Sequence, residues 1–202
     1  MASKVASIAL GFRVKSGWAA AVVLGGPPSA PTILEARRVE LSDPETPATV
    51  QPYHAAAGEA QTNQRTVARL IGMIEQCTER SLTELLQLLQ LHRRSGATVA
   101  GAGVVGTSAT DPASIANPHI RAHALEGRLF RTVVEEALIR SGIKTRFLLE
   151  QGLHAEAVRT LKKSAPALKT ELTAMGRLVS GPWRSDQKSA ALAAWLVLAA
   201  RR

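Results

Sequence analysis

Apolar and polar residues alternate weakly over Val5 to Phe12, and after the polar link Arg13 to Ser16 a second apolar run spans Gly17 to Leu24 (GWAAAVVL). That spacing predicts a hairpin. A Gly25-Gly26-Pro27-Pro28 break separates it from Thr32 to Leu41 (TILEARRVEL), where the alternation is that of a half-buried strand. Three antiparallel strands in a meander are expected.

The stretch from Ser42 to Gly58 holds Pro44, Pro47 and Pro52 with few large apolar residues, so a flexible loop is expected over 42–60. Helical periodicity begins near Gln61 with Val67, Leu70, Ile71 and Ile74. Ser81 and Glu84 have the spacing of a capping box, which predicts a second helical piece carrying Leu85, Leu88, Leu89 and Leu91 up to Gly96. Ala97 to Gly106 (ATVAGAGVVG) is small and apolar at every position, as suits a central strand covered on both faces. A polar loop, Thr107 to Pro118, follows it at the strand end where open α/β sheets place ligands. A helix over about 119–141, a strand over Lys144 to Glu150, a helix over about 155–163 and a closing helix over about 185–200 complete the chain.

The resulting order is β-β-β-α-β-α-β-α with a closing helix. Right-handed crossovers then predict an α/β fold: a mixed five-stranded sheet, three antiparallel strands extended by two parallel ones, with helices on both faces. A length of 202 residues and 46% hydrophobic composition fit one domain over 1–202 with a proper core.

Charge changes the picture along the chain. Residues 1–118 carry ten basic and nine acidic side chains, whereas 119–202 carry fifteen and seven, so the second part holds +8 of the +9 net charge. Such a field concentrates polyanions, which makes structured DNA or RNA the first partner to consider. Aromatic residues are only 3%, too few for a platform that stacks successive unpaired bases. The single cysteine, Cys77, excludes an intramolecular disulfide and a thiolate zinc cage. No apolar stretch reaches the ~20 residues of a membrane span, and MASKVASIALGF lacks the succession of a secretory signal. A cytoplasmic protein with no membrane association is expected.

Local sequence adds a resemblance. SGWAAAVVL (Ser16 to Leu24) looks like the turn and second strand of the RuvC-type junction resolvases and YqgF-type pre-16S rRNA processing nucleases, within the RNase H-like superfamily. AGAGVVGTSATDP is similar to their fourth strand and the loop after it. TRFLLEQGLHAEAVRTL (Thr145 to Leu161) resembles their late strand, acidic residue and Ala-rich helix, and SDQKSAALAAWLVL (Ser185 to Leu198) resembles their closing helix.

The resemblance implies phosphodiester hydrolysis by clustered carboxylates holding magnesium or manganese, two ions about 3.5 to 4 Å apart that activate water and neutralise the leaving oxygen. On that basis Glu150 matches the strand-end acid and Asp186 the acid at the start of the last helix. The family's first-strand aspartate has no match: SIALGF places Leu10 or Gly11 there, with Arg13 just beyond. A cation opposes metal binding. The expectation is therefore a nucleic-acid-binding relative with lost or altered catalysis. An active metal-dependent nuclease, with Glu126 or Asp111 replacing the missing acid, is the alternative.

Other constellations compete for attention. His119, His123 and Glu126 fall at i, i+4 and i+7, so one helix face could carry all three as metal ligands; the bland reading is packing near a helix start. Arg121, Arg128 and Arg131 share that helix and are candidate phosphate contacts, with Arg159, Lys162, Lys163, Arg184 and Lys188 further along, although such stripes also serve as solvated faces. His154 lies four residues beyond Glu150. Gly101, Gly103 and Gly106 spell G-x-G-x-x-G, yet within a strand, so a dinucleotide site fails its context. Ser108 and Cys77 lack the surroundings of a nucleophile. A structural or assembly module, with self-association as a homodimer through an exposed Trp195 or Leu196, is the third reading.

Overall fold

The computed structural model describes residues 7–55 and 59–200. The strands β1 (Ser7–Lys15), β2 (Trp18–Gly25), β3 (Thr32–Glu40), β4 (Thr98–Gly106) and β5 (Thr145–Leu149) form one sheet in the order β3-β2-β1-β4-β5. β1 to β3 pair antiparallel, and β4 and β5 run parallel to β1. Helices α1 (Gln64–Arg94), α2 (Pro118–Arg140), α3 (Leu153–Leu161), α4 (Ala165–Met175) and α5 (Ser185–Ala199) cover the two faces.

β1 is the central strand, and its alternation separates two cores. Ile8, Leu10, Phe12 and Val14 face a core shared with Ile74, Leu82, Phe130 and Val134 of α1 and α2. Ala9, Gly11 and Arg13 take the other face, where α5 lies. A Cβ on Gly11 would collide with the Ala190 carbonyl, and one on Gly103 would stand 2.8 Å from that of Ala193. The glycines of β1 and β4 therefore let an alanine-rich helix lie directly on the sheet. This is the role of the central glycine in the GAGVVG string, packing rather than a ligand loop.

α5 is buried nearly all round, from Ala190 to Leu198. Trp195 and Leu196 are inside, and Trp195 Nε1 donates to the Pro28 carbonyl at 2.8 Å. The exposed patch expected on this helix is therefore not formed by these two residues, because α3 and α4 complete its cover: Leu153, Ala157, Leu168 and Leu172 share its core.

Two expectations about helices need correction. α1 is one helix of 31 residues, about 46 Å long, and Ser81 lies inside it instead of capping a second piece. The buried stripe Leu70, Ile74, Cys77, Thr78, Leu82, Leu85 and Leu89 keeps one helical phase straight through that point. Its cap is Asn63, whose side chain accepts from Arg65 N and Thr66 N. Secondly, α4 was not expected; Ser164 caps it, accepting from Ala167 N at 3.3 Å, and Leu168 and Leu172 anchor it.

The segment 42–60 contains a short 3₁₀ turn, Pro47–Val50, tied by bonds from Thr49 Oγ1 to the carbonyls of Asp43 and Thr46. Backbone bonds from Ala55 to Glu59 and from Gln61 to Tyr53 then hold His54 near α2. Residues 56–58 of this expected loop, and residues 1–6, which include Val5 and Ala6 of the first apolar run, lie outside the described residues.

Candidate functional site

Parallel strands gather their C-terminal ends along one edge of a sheet, and here that edge carries β1, β4 and β5. Arg13 is near the end of β1, opposite Val105 of β4. Glu150 follows β5 directly, its amide donating to the Gly106 carbonyl at 2.9 Å. Asp186 is in the first turn of α5, where the helix dipole favours an acid, and Gln187 accepts from the Arg184 amide to close that turn.

These side chains converge. Arg13, only 1% exposed, lays its guanidinium on Glu150 in a two-point pair, Nε to Oε1 at 2.9 Å and Nη2 to Oε2 at 2.6 Å. Its Nη1 donates to the Val14 carbonyl at 2.6 Å, and its Nε is 4.0 Å from Asp186 Oδ1. Lys15 Nζ approaches the same Asp186 oxygen at 3.4 Å. Two acids thus meet two cations supplied by the chain, and planar guanidinium against carboxylate is the geometry such a pair prefers.

Clefts border this cluster on two sides. One, of about 370 Å³, has Trp18, Arg37, Arg38 and Arg184 in its walls beside Asp186. Arg38 stacks over Trp18 at 4.3 Å from the ring centroid. The other, of about 350 Å³, joins Glu150 to His154, Lys169 and Lys188.

The remaining basic candidates disperse. Arg121 is turned to the loop before α2, donating to the carbonyls of Ile115 and Ala116. Arg131 stacks on Phe147 at 4.2 Å, and Arg128 approaches Asp111 at 3.4 Å. Asp111 itself caps a 3₁₀ turn through Ala113 N. Lys162 and Lys163 border a cleft with Pro28, Ser29 and Ala199, at the far end of α5 from Asp186. Thirteen residues of helix put about 20 Å between those ends. Lys163 pairs with Glu171 at 2.7 Å, and Arg159 lines a separate cleft beside Arg146.

A second cluster lies at the start of α2. Glu126 is fully buried, with His54 Nδ1 2.7 Å from Oε1 and His123 Nδ1 3.5 Å from Oε2. His119 and His123, one turn apart, approach Nε2 to Nε2 at 3.2 Å. Burial, and then the charge of Glu126, raise the neighbouring Tyr53 phenol above its ordinary value of 10, against the opposing Arg128. Among the described residues, His54, His119 and His123 are the group of three or more potential ligands whose atoms lie within 4.8 Å of one another; Glu150, Asp186, Glu126 and Asp111 do not assemble such a set. His54 was hidden from sequence reasoning because it sits 65 residues before His119 in a loop without periodicity.

Against solved structures, the chain aligns with Thermus thermophilus RuvC in complex with a Holliday junction substrate at a TM-score of 0.56 and 12% identity, covering 96% of this chain and 95% of that one. The fold is RNase H-like, of the RuvC type. A second Thermus thermophilus RuvC structure aligns over the same shares at a TM-score of 0.46 and 15% identity. An Aquifex aeolicus member of the Ppx/GppA family aligns at 0.40 and 11%, over 77% of this chain and 40% of that one. No protein-family model matches the sequence, and no curated protein matches it.

A RuvC-type fold suggests divalent-metal use, but the acids at this edge do not fit a magnesium or manganese pair. Their oxygens already face a buried guanidinium and a lysine, and fixed positive charge at that distance opposes the binding of a further cation. The β1 position that faces both acids is Arg13, not Leu10 or Gly11 as expected. Leu10 points into the opposite core, and Gly11 is filled by α5. No helix of the structure, among the described residues, is long and apolar enough to cross a membrane.

Proposed function

We propose that this RuvC-type chain binds structured DNA or RNA through phosphate contacts at the sheet edge around Asp186 and does not cleave it there. The observation that carries the reading is the Arg13 guanidinium lodged on Glu150 beside Asp186. It occupies with fixed charge the space where two-metal hydrolysis needs exchangeable cations. Arg37, Arg38, Arg184 and Lys188 in the flanking clefts would hold backbone phosphates, and Trp18 offers a rigid wall. The aligned RuvC is in complex with a Holliday junction substrate, so a four-way DNA junction is the first ligand to try.

Fluorescence anisotropy with a labelled junction, a linear duplex and a hairpin RNA tests the binding. Affinity should fall steeply with salt, with a log–log slope of about −0.9 per phosphate neutralised on duplex DNA. Absence of association with all three at low salt would overturn the reading. Incubation with magnesium or manganese should leave each substrate intact. Metal-dependent cleavage that disappears in Asp186→Asn would restore the catalytic alternative.

A further inference from the structure

We infer that His54, His119 and His123 form a binding site for one zinc-class divalent ion, oriented by the buried Glu126, and independent of the nucleic-acid reading. The argument starts from Glu126. It is 0% exposed, and one oxygen lies 2.7 Å from His54 Nδ1 and the other 3.5 Å from His123 Nδ1. With the carboxylate accepting from His54 Nδ1–H, the free lone pair of that ring is on Nε2. Carboxylate behind histidine is the arrangement that orients zinc-ligating imidazoles and raises their basicity.

One ring nitrogen from each of the three histidines lies within 4.8 Å of the others. His54 has a side chain 6% exposed, and its Nε2 is buried without a hydrogen-bond partner among the described residues, an arrangement that is costly unless a ligand satisfies it. His119 Nε2 is 3.2 Å from His123 Nε2. Two nitrogens at zinc-ligand distance on a tetrahedral ion stand about 3.3 Å apart. The ring centroids of the three pairs lie at 5.1, 4.4 and 4.6 Å, so the three imidazoles surround a common centre.

Ligand chemistry selects the ion. Three neutral imidazoles suit zinc and neighbouring transition metals, whereas magnesium and calcium take oxygen. His119 and His123 are exposed, which leaves a fourth position toward solvent for water or an anion. An ion here would join the loop before α1 to the first turns of α2, two segments 65 residues apart in sequence.

Untagged full-length protein, stripped with a chelator and titrated with zinc chloride in excess magnesium, should take up one ion per chain. His119→Ala together with His123→Ala should weaken binding at least about 100-fold, as expected for loss of two of three ligands. Glu126→Gln should weaken it about 10- to 100-fold while leaving all three imidazoles in place. His92→Ala, on the last turn of α1, should change nothing. Cobalt(II) in the stripped protein should give the intense visible absorption of a four-coordinate site. Zinc should also shield His119 and His123 of the wild-type chain from diethylpyrocarbonate, a readout that needs no variant. No zinc uptake, uptake undiminished in a folded double variant, or modification unaffected by zinc would each overturn the inference.

Discussion

Beside α5, two acids meet a guanidinium and an ammonium from the same chain; at the start of α2, a buried acid lies beside imidazoles that each offer a ring nitrogen within 4.8 Å of the others. The first cluster is electrically closed. In the second, His54 Nδ1 bonds to the buried acid while its Nε2 is buried without a hydrogen-bond partner among the described residues. The comparison separates two surroundings of carboxylates in one fold: the partly exposed Glu150 and Asp186 against a buried guanidinium, and the fully buried Glu126 against imidazoles. On the two proposals above, fixed positive charge at the first cluster opposes a metal ion, and imidazole nitrogens at the second would hold one.

The strongest way to break the comparison is to unpair the first cluster. Glu150→Ala should leave the buried Arg13 with the Val14 carbonyl and, at 4.0 Å, Asp186, and lower stability by about 1 to 3 kcal/mol, read as a reduced urea midpoint. A negligible loss would mean that the Arg13 pair is not what closes the site. Arg13→Asp sharpens the same point from the other side. It should destabilise the protein without metal, because three acids would then crowd one edge, and make the thermal midpoint rise with magnesium where the wild type does not respond.

Weaker effects belong to the rim. Arg184→Ala should reduce affinity for a DNA junction and make its log–log salt slope about one unit shallower, as loss of one phosphate contact requires. Lys15→Ala, which removes a partly exposed partner of Asp186, should change stability by less than about 1 kcal/mol.

Smallest of all should be Glu135→Gln on α2. Burial, the main cause, and Glu136 raise the Glu135 carboxyl above its ordinary 4.5, against the lowering effect of Arg131. The folded state then binds more protons than the unfolded state as pH rises through the window above 4.5, so stability declines there and levels off once the folded group ionises. The Gln variant should flatten that decline in pH-dependent urea unfolding, with a change within about 0.5 kcal/mol at neutral pH.

Local pattern carried much of this architecture. Alternation in β1 and the all-apolar run of β4 were enough to expect a mixed sheet, since a strand covered on both faces has no polar positions to show. The same pattern misled at Ser81, where a capping-box spacing fell inside a helix whose buried stripe never broke phase. It also passed over α4, whose signal, a Ser-Ala-Pro start followed by Leu168 and Leu172, is short and flanked by charge.

The candidate sites divide along the same line. Glu150 and Asp186 stood out because the resemblance to RuvC- and YqgF-type nucleases matched them to that family's acids, and His119 and His123 because they are one turn apart on a helix. Nothing local announced that Arg13 would reach Glu150, 137 residues away, or that His54 would close on Glu126 from 72 residues away. Periodicity reports which face a residue takes, because that follows from backbone geometry within a few residues. Which charge meets which across the fold depends on how strands and helices dock, and only docking decided that Glu150 and Asp186 would meet Arg13 and Lys15 while Glu126 would meet His54.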